Sequence, residues 1–178
     1  LPVTLATVGT LSRTGYTFAG WNTLASGAGV NFAAGLNTFT SSTGNITLFA
    51  QWNSTITYNG NGATGGSAPD SGSYITGALN PYTVASNRSG SDALVKSGFT
   101  FDGWYTTATG SNGTAYAAGT GTLTTTSDFT LYAKWSAASF VVTYDPANSS
   151  STSTENKMYG SSFTLPVAPT KAGNNFLG

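Results

Sequence analysis

The chain repeats itself, and an internal period limits the fold more tightly than any composition, because each unit must bury its apolar face within itself or against a neighbour. Gly15-Tyr16-Thr17-Phe18-Ala19-Gly20-Trp21 returns 83 residues later as Gly98-Phe99-Thr100-Phe101-Asp102-Gly103-Trp104. Thr47-Leu48-Phe49-Ala50-Gln51-Trp52 returns at the same offset as Thr130-Leu131-Tyr132-Ala133-Lys134-Trp135, so both copies hold two Trp 31 residues apart. Between them, Ala33-Ala34-Gly35 answers Ala117-Ala118-Gly119 at 84, a one-residue slip that belongs in a loop.

A second block precedes the first: Thr55-Ile56-Thr57-Tyr58-Asn59-Gly60-Asn61-Gly62 is echoed by Val141-Val142-Thr143-Tyr144-Asp145-Pro146-Ala147-Asn148. The expected organisation is therefore the C-terminal part of a first repeat over 1–52, one complete repeat over 53–136, and the N-terminal part of a third over 137–178. Gly173-Asn174-Asn175-Phe176-Leu177-Gly178 matches the anchor a third time, and the phase predicts Trp as the next residue. Leu1-Pro2-Val3 opens with neither the basic nor the apolar region of a signal peptide, which reads as an internal start. From Leu1-Pro2-Val3 to Gly15 and from Leu165-Pro166-Val167 to Gly173 the spacing differs by six residues, and Ser86 to Asp92 reads as an extra polar loop. Length variation of this kind marks surface loops, which lengthen at low entropic cost.

Alternation identifies strands. Aromatics stand at i and i+2 in Tyr16-Thr17-Phe18 and Phe99-Thr100-Phe101; Ile56 and Tyr58 share a face, as do Leu131, Ala133 and Trp135. Asn59-Gly60 and Asn61-Gly62 accept the positive φ of tight turns, which predicts a hairpin after Tyr58. Glycine is abundant at 23 residues and Ser plus Thr reach 53, while the segment from Gly110 to Ser127 lacks helical periodicity. The fold class is mainly β, or α+β if a short helix is present.

The Trp residues have a core reading and a sugar-stacking reading. A buried indole removes roughly 150–250 Å² from water, which at about 25 cal/mol per Å² is some 4–6 kcal/mol as an upper bound. A unit of about 80 residues with no Cys to form disulfides depends on such a contribution. The expected structural anchors are Phe18, Trp21, Trp52, Tyr58, Phe101, Trp104, Trp135 and Tyr144.

The pattern Gly-(Tyr/Phe)-Thr-Phe-x-Gly-Trp-x-Thr, followed about 30 residues on by Thr-Leu-(Phe/Tyr)-Ala-x-Trp, resembles the Listeria–Bacteroides repeat, also called the internalin B-repeat. The resemblance covers the middle unit and the matching parts of the other two. It implies tandem β-grasp, ubiquitin-like units in large secreted or wall-anchored bacterial proteins, acting as stalks or adhesive modules. It brings no catalytic residues to carry over, and this chain departs from the β-grasp pattern in the Gly- and Thr-rich segment between the two Trp.

Chemistry offers little else. There is no His to activate a Ser or Thr nucleophile, and no Cys for thiol or thiolate chemistry. Lys96, Lys134, Lys157 and Lys171 are scattered, and Lys134 is answered by Gln51. Among the middle unit's carboxylates Asp70, Asp92, Asp102 and Asp128, Asp102 answers Ala19 and Asp128 answers Asn45, so no pair suits glycosidase chemistry in both copies. Asp145, Asn148 and Glu155 form a modest oxygen cluster, short of what calcium wants. Asn-x-Ser/Thr triplets at Asn45, Asn53, Asn87, Asn112 and Asn148 are expected by chance in so hydroxyl-rich a chain, and nothing selects a Lys–Asn pair for an isopeptide bond.

The expectation is a non-enzymatic structural or adhesive segment, stalk or fibre-forming, of a secreted or cell-wall-associated bacterial protein, with no cofactor and no metal. Its partners would be neighbouring repeats, other copies of itself or surface glycans. Zero net charge and the lack of an apolar run of about 20 residues argue against nucleic acid and membrane insertion. The alternative is a carbohydrate- or mucin-binding module using Tyr74, Tyr82, Tyr105 and Tyr116 near turns. An enzyme accessory domain would differ from both only in what flanks it.

Overall fold

The computed structural model describes residues 3–4, 9–33, 35, 38–39, 44–75, 81–125, 127–175 and 177. Leu1, Pro2, Ala34, Phe176 and Gly178, used above to set the repeat phase, lie outside the described residues. In chain order the strands are β1 (Val3–Thr4), β2 (Thr17–Asn22), β3 (Asn31–Phe32), β4 (Thr38–Phe39), β5 (Phe49–Asn59), β6 (Gly72–Ile75) and β7 (Tyr82–Thr83). They continue as β8 (Phe99–Tyr105), β9 (Ala115–Tyr116), β10 (Thr122–Leu123), β11 (Phe129–Ala137), β12 (Ser139–Tyr144) and β13 (Ser153–Met158). Mainly β is the class: the one helical turn among the described residues is 3-10, at Gly90–Asp92 inside the expected polar loop. Strands β9 and β10 occupy the segment between the second pair of Trp.

One seven-stranded sheet, β3-β2-β5-β11-β8-β9 with β6 also on β5, holds most of the strand residues. Its register reproduces the sequence period. Phe18 faces Trp52 and Trp21 faces Ala50, as Phe101 faces Trp135 and Trp104 faces Ala133. Both pairs bulge beside the glycine that precedes the Trp. The small antiparallel pairs agree too: Thr4 faces Thr38 and Val3 faces Phe39, as Thr83 faces Thr122 and Tyr82 faces Leu123.

Strand β5 belongs to two units at once. Its first half pairs antiparallel with β2, its last four residues pair parallel with β11, and β6 covers Asn53–Ile56. Asn53 faces both Thr17 and Ile75, and Ile56 faces both Phe129 and Gly72. A strand has only two edges, so β6 lies along one, while β2 and β11 follow each other along the other. The expected boundary at 53 thus falls inside a continuous strand. At the next junction only Ala138 separates β11 from β12; its N–H donates to Gly98 O at 2.9 Å and its carbonyl accepts from Tyr159 N at 2.8 Å.

The return of the chain after Tyr58 corrects the tight hairpin expected there. Asn61-Gly62 does make a tight turn, with φ of 48° and 79° and a 3.1 Å bond from Ala63 N to Gly60 O. The residues that follow pair with Val95 through Thr64 and Gly65 instead of folding back on β5. The antiparallel partner of β5 arrives only at Gly72, so the hairpin is β5–β6 with a long loop.

The core lies in the middle unit. Ile56, Val84, Leu94, Trp104, Leu123, Leu131 and Ala133 are buried together, with Tyr58, Phe101, Tyr116 and Trp135 packed at the margin. Leu131 and Ala133 point inward by the two-residue period of β11. Val84, Leu94 and Leu123 come from the segments before β8 and between β9 and β11, and they close the apolar layer against Ile56, Trp104, Leu131 and Ala133.

Candidate functional site

The repeated motif builds one aromatic cluster per unit. Phe18 sits edge-on to Trp21 and Trp52 at centroid distances of 5.4 and 5.5 Å; Phe101 does the same with Trp104 and Trp135 at 5.2 and 5.6 Å. Edge-to-face packing aligns the positive ring edge with the negative face and adds about 0.5–1.5 kcal/mol per pair beyond burial. Trp104 is fully buried, with its indole N–H donating to Ala85 O at 2.8 Å. Trp135 is half-buried and donates to Gly60 O at 3.1 Å.

The small residues of the motif have local reasons. At Gly103, φ is +118° and a Cβ would lie 2.6 Å from Tyr116 O; at Gly20, φ is +125° and the same distance separates it from Phe32 O. Only glycine lets β9 or β3 approach there. The Thr two residues after each Trp closes a turn: Thr106 Oγ1 accepts from Thr114 N at 2.9 Å, and Thr23 Oγ1 from Val30 N at 3.0 Å. Asn61, in the turn after β5, donates its amide to Ala108 O and Ala133 O, both at 2.9 Å. Sequence reading missed these roles, although Gly20 and Gly103, and Thr23 and Thr106, share the 83-residue offset.

The remaining anchors separate. Tyr58 packs tilted against Trp104 with ring centres 4.7 Å apart, donates its hydroxyl to Tyr82 Oη at 3.2 Å and accepts Ala85 N–H at 2.8 Å. Burial, then the Tyr82 hydrogen bond, pushes its hydroxyl well above the ordinary tyrosine value. Tyr144 stands apart from the core on the β12–β13 hairpin, donating to Glu155 Oε1 at 2.6 Å. That bond raises Tyr144 and, with Lys157 2.9 Å from Glu155 Oε2, lowers the carboxyl.

Of the four tyrosines expected near turns, Tyr74 is buried, and Tyr82 and Tyr116 pack at the core margin. Tyr105 alone of the four lines a surface groove of about 260 Å³, with Phe99, Trp135, Lys96 and Lys134. Lys96 Nζ lies 4.8 Å from the Phe99 ring centre and Lys134 Nζ 5.4 Å from that of Tyr105. Neither ammonium joins the ion pairs found among the described residues, Arg88–Asp70 and Lys157–Glu155. The first unit repeats part of this arrangement, with Arg13 stacked 3.9 Å over Tyr16.

The oxygens considered for calcium are committed locally. Asp145 accepts from Ala147 N at 2.9 Å, Asn148 accepts from Ser150 N at 3.0 Å, and Glu155 holds Tyr144 and Lys157. Among the described residues no group of three or more His, Cys, Asp or Glu could hold a metal ion. Asp128 accepts Thr55 N–H at 2.7 Å, Asp102 accepts from Ser136 Oγ at 3.0 Å, and Asp70 pairs with Arg88.

Fold and site together define a tandem-repeat β protein whose first two units are joined through a shared strand. The chain belongs to the Listeria-Bacteroides repeat domain family, which matches residues 3–51, 55–134 and 140–178. It is 34% identical over 99% of its length to a putative Gly-rich membrane protein of Evansella cellulosilytica, and 31% identical over 76% to a putative membrane protein of the same organism. Internalin H of Listeria monocytogenes is 38% identical over 48% of the chain. The chain spans about a fifth of the length of the two Evansella relatives and 15% of Internalin H. No solved structure matches it. No helix among the described residues is long and apolar enough to cross a membrane.

Proposed function

We propose that this chain is a non-enzymatic spacer segment of a bacterial surface protein, an extracellular stalk of β-grasp-type units that holds other parts of its parent away from the cell. The observation that carries this is the continuity of β5 through the first junction, paired on one side of it with β2 and on the other with β11. A shared strand leaves the two units little hinge freedom. The parallel pairing of the middle unit's first and last strands supports a β-grasp arrangement in which crossing segments stand in for the helix. In the seven-stranded sheet the edge strands β3 and β9 are two residues long and β6 is four, which disfavours lateral pairing of that sheet with other copies. Relatives named as membrane proteins and as an internalin support placement at the cell surface. Its partners are then the neighbouring repeats. An antibody raised against the chain should label intact cells that make the parent protein; labelling only after permeabilisation would overturn the reading.

The groove favours a second reading, a weak glycan-binding module. Half-buried aromatic rings beside two ammonium groups that join none of the ion pairs among the described residues suit a sugar bearing a carboxylate or sulfate. Oligosaccharides with and without acidic groups, titrated against Trp fluorescence, should separate into binders and non-binders, and Tyr105→Ala should abolish the response. No response to any of them would remove this reading.

A further inference from the structure

We infer that the β5–β11 seam of the middle unit is a mechanical clamp, placed so that tension along the array loads its bonds lengthwise and together. This deepens the stalk reading and rests on it for the source of the tension.

The argument starts from strand direction. The unit enters through β5 and leaves through β11, and these strands are parallel neighbours: Ile56 faces Phe129, Thr57 faces Thr130, Tyr58 faces Leu131 and Asn59 faces Tyr132. Tension pulls β5 back towards Phe49 and β11 forward towards Ala137. Two parallel strands drawn from opposite ends slide past each other, and every bond between them must yield in one step. Strands pulled apart from the same end lose their bonds singly, and a single backbone bond exchanged for one to water resists little.

Side chains extend the seam beyond the backbone ladder. At its start, Asp128 accepts Thr55 N–H at 2.7 Å. In its middle the Thr57 and Thr130 hydroxyls meet at 2.8 Å, and Thr57 Oγ1 also reaches Phe129 O at 3.3 Å. Past its end the Trp135 indole holds Gly60 O. All of these join the segment around β5 to the segment around β11, along the line that tension would shear. Outside the unit the load path stays extended, through the first half of β5 and, after Ala138, through β12. Units joined through flexible linkers would swivel under load, whereas here the force arrives along the seam.

Forced unfolding reads the barrier and not the equilibrium, so the direction of pulling is the test. The chain has no Cys, which makes introduced pairs unique attachment points. Phe49→Cys with Ser139→Cys, both at exposed positions, loads the seam lengthwise. Thr55→Cys with Ser127→Cys, also exposed, opens it from one end. At one pulling speed the lengthwise pair should unfold at a force several-fold higher. Equal forces in the two directions would overturn the clamp. Pulling the cysteine-free chain by tags at its two ends loads the same seam, and a middle-unit unfolding force as low as that of the opening pair would overturn it as well. Cell-surface labelling judges the stalk reading separately, so failure of the clamp and failure of the stalk are distinguishable.

Discussion

The indole N–H of Trp135 donates to the carbonyl of Gly60 at 3.1 Å, tying the last strand of the middle unit to the turn that follows its first. Gly60 O also accepts Ala63 N–H, so losing the indole does not orphan it. Trp135→Phe keeps an aromatic ring against Phe101 and should cost about 1 kcal/mol in urea unfolding. Trp104→Ala, at a fully buried site, should cost about 3–5 kcal/mol and unfold the middle unit. A Trp104→Ala chain with unchanged circular dichroism and midpoint would remove the indole from the core.

Gly103 should tolerate no side chain. Gly103→Ala combines a positive φ with a Cβ 2.6 Å from Tyr116 O, for an expected loss of at least about 2 kcal/mol. Gly110→Ala has a positive φ but open space, and should cost about 1 kcal/mol. Equal effects at the two sites would contradict the close approach of β9.

Alkaline pH should weaken the fold through Tyr58. Its folded hydroxyl titrates above the unfolded tyrosine value of about 10. Above that pH the unfolded chain releases a proton that the folded one retains. Stability is therefore complete below about pH 10 and falls as pH rises further. The melting temperature of Tyr58→Phe, lower at neutral pH for want of the bonds to Tyr82 and Ala85, should fall less steeply with alkali.

Calcium should do nothing to stability. The Asp145, Asn148 and Glu155 oxygens already accept bonds from their own hairpin. Melting curves with millimolar calcium and with chelator should superimpose, and a rise with calcium would show a site these contacts do not reveal.

Asn61 should act through its amide. Asn61→Gly keeps the positive φ but loses the bonds to Ala108 O and Ala133 O, an expected cost of about 1–3 kcal/mol. A neutral result would mean that backbone conformation alone selects Asn there.

The sequence by itself determined the repeat period and the longer strands that carry its aromatics. A constant 83-residue offset and period-two aromatics are local and repeated, so Phe18, Trp21 and Trp52 could be matched to Phe101, Trp104 and Trp135 before any contact was known. The Asn61-Gly62 turn was legible for the same reason, since positive φ is a property of the residues themselves. What the chain does on leaving that turn was not legible. Its course depends on Val95, Ala133 and Trp135, which are remote in sequence and hold it away from β5. Tertiary structure also decided that β5 serves two units, because nothing in a strand's own residues says which neighbours take its edges. The groove beside Tyr105 is likewise a product of packing: Phe99, Lys134 and Trp135 meet only when β8 lies against β11. Pattern marks which residues turn inward; only the folded sheet decides which strands carry the load between units.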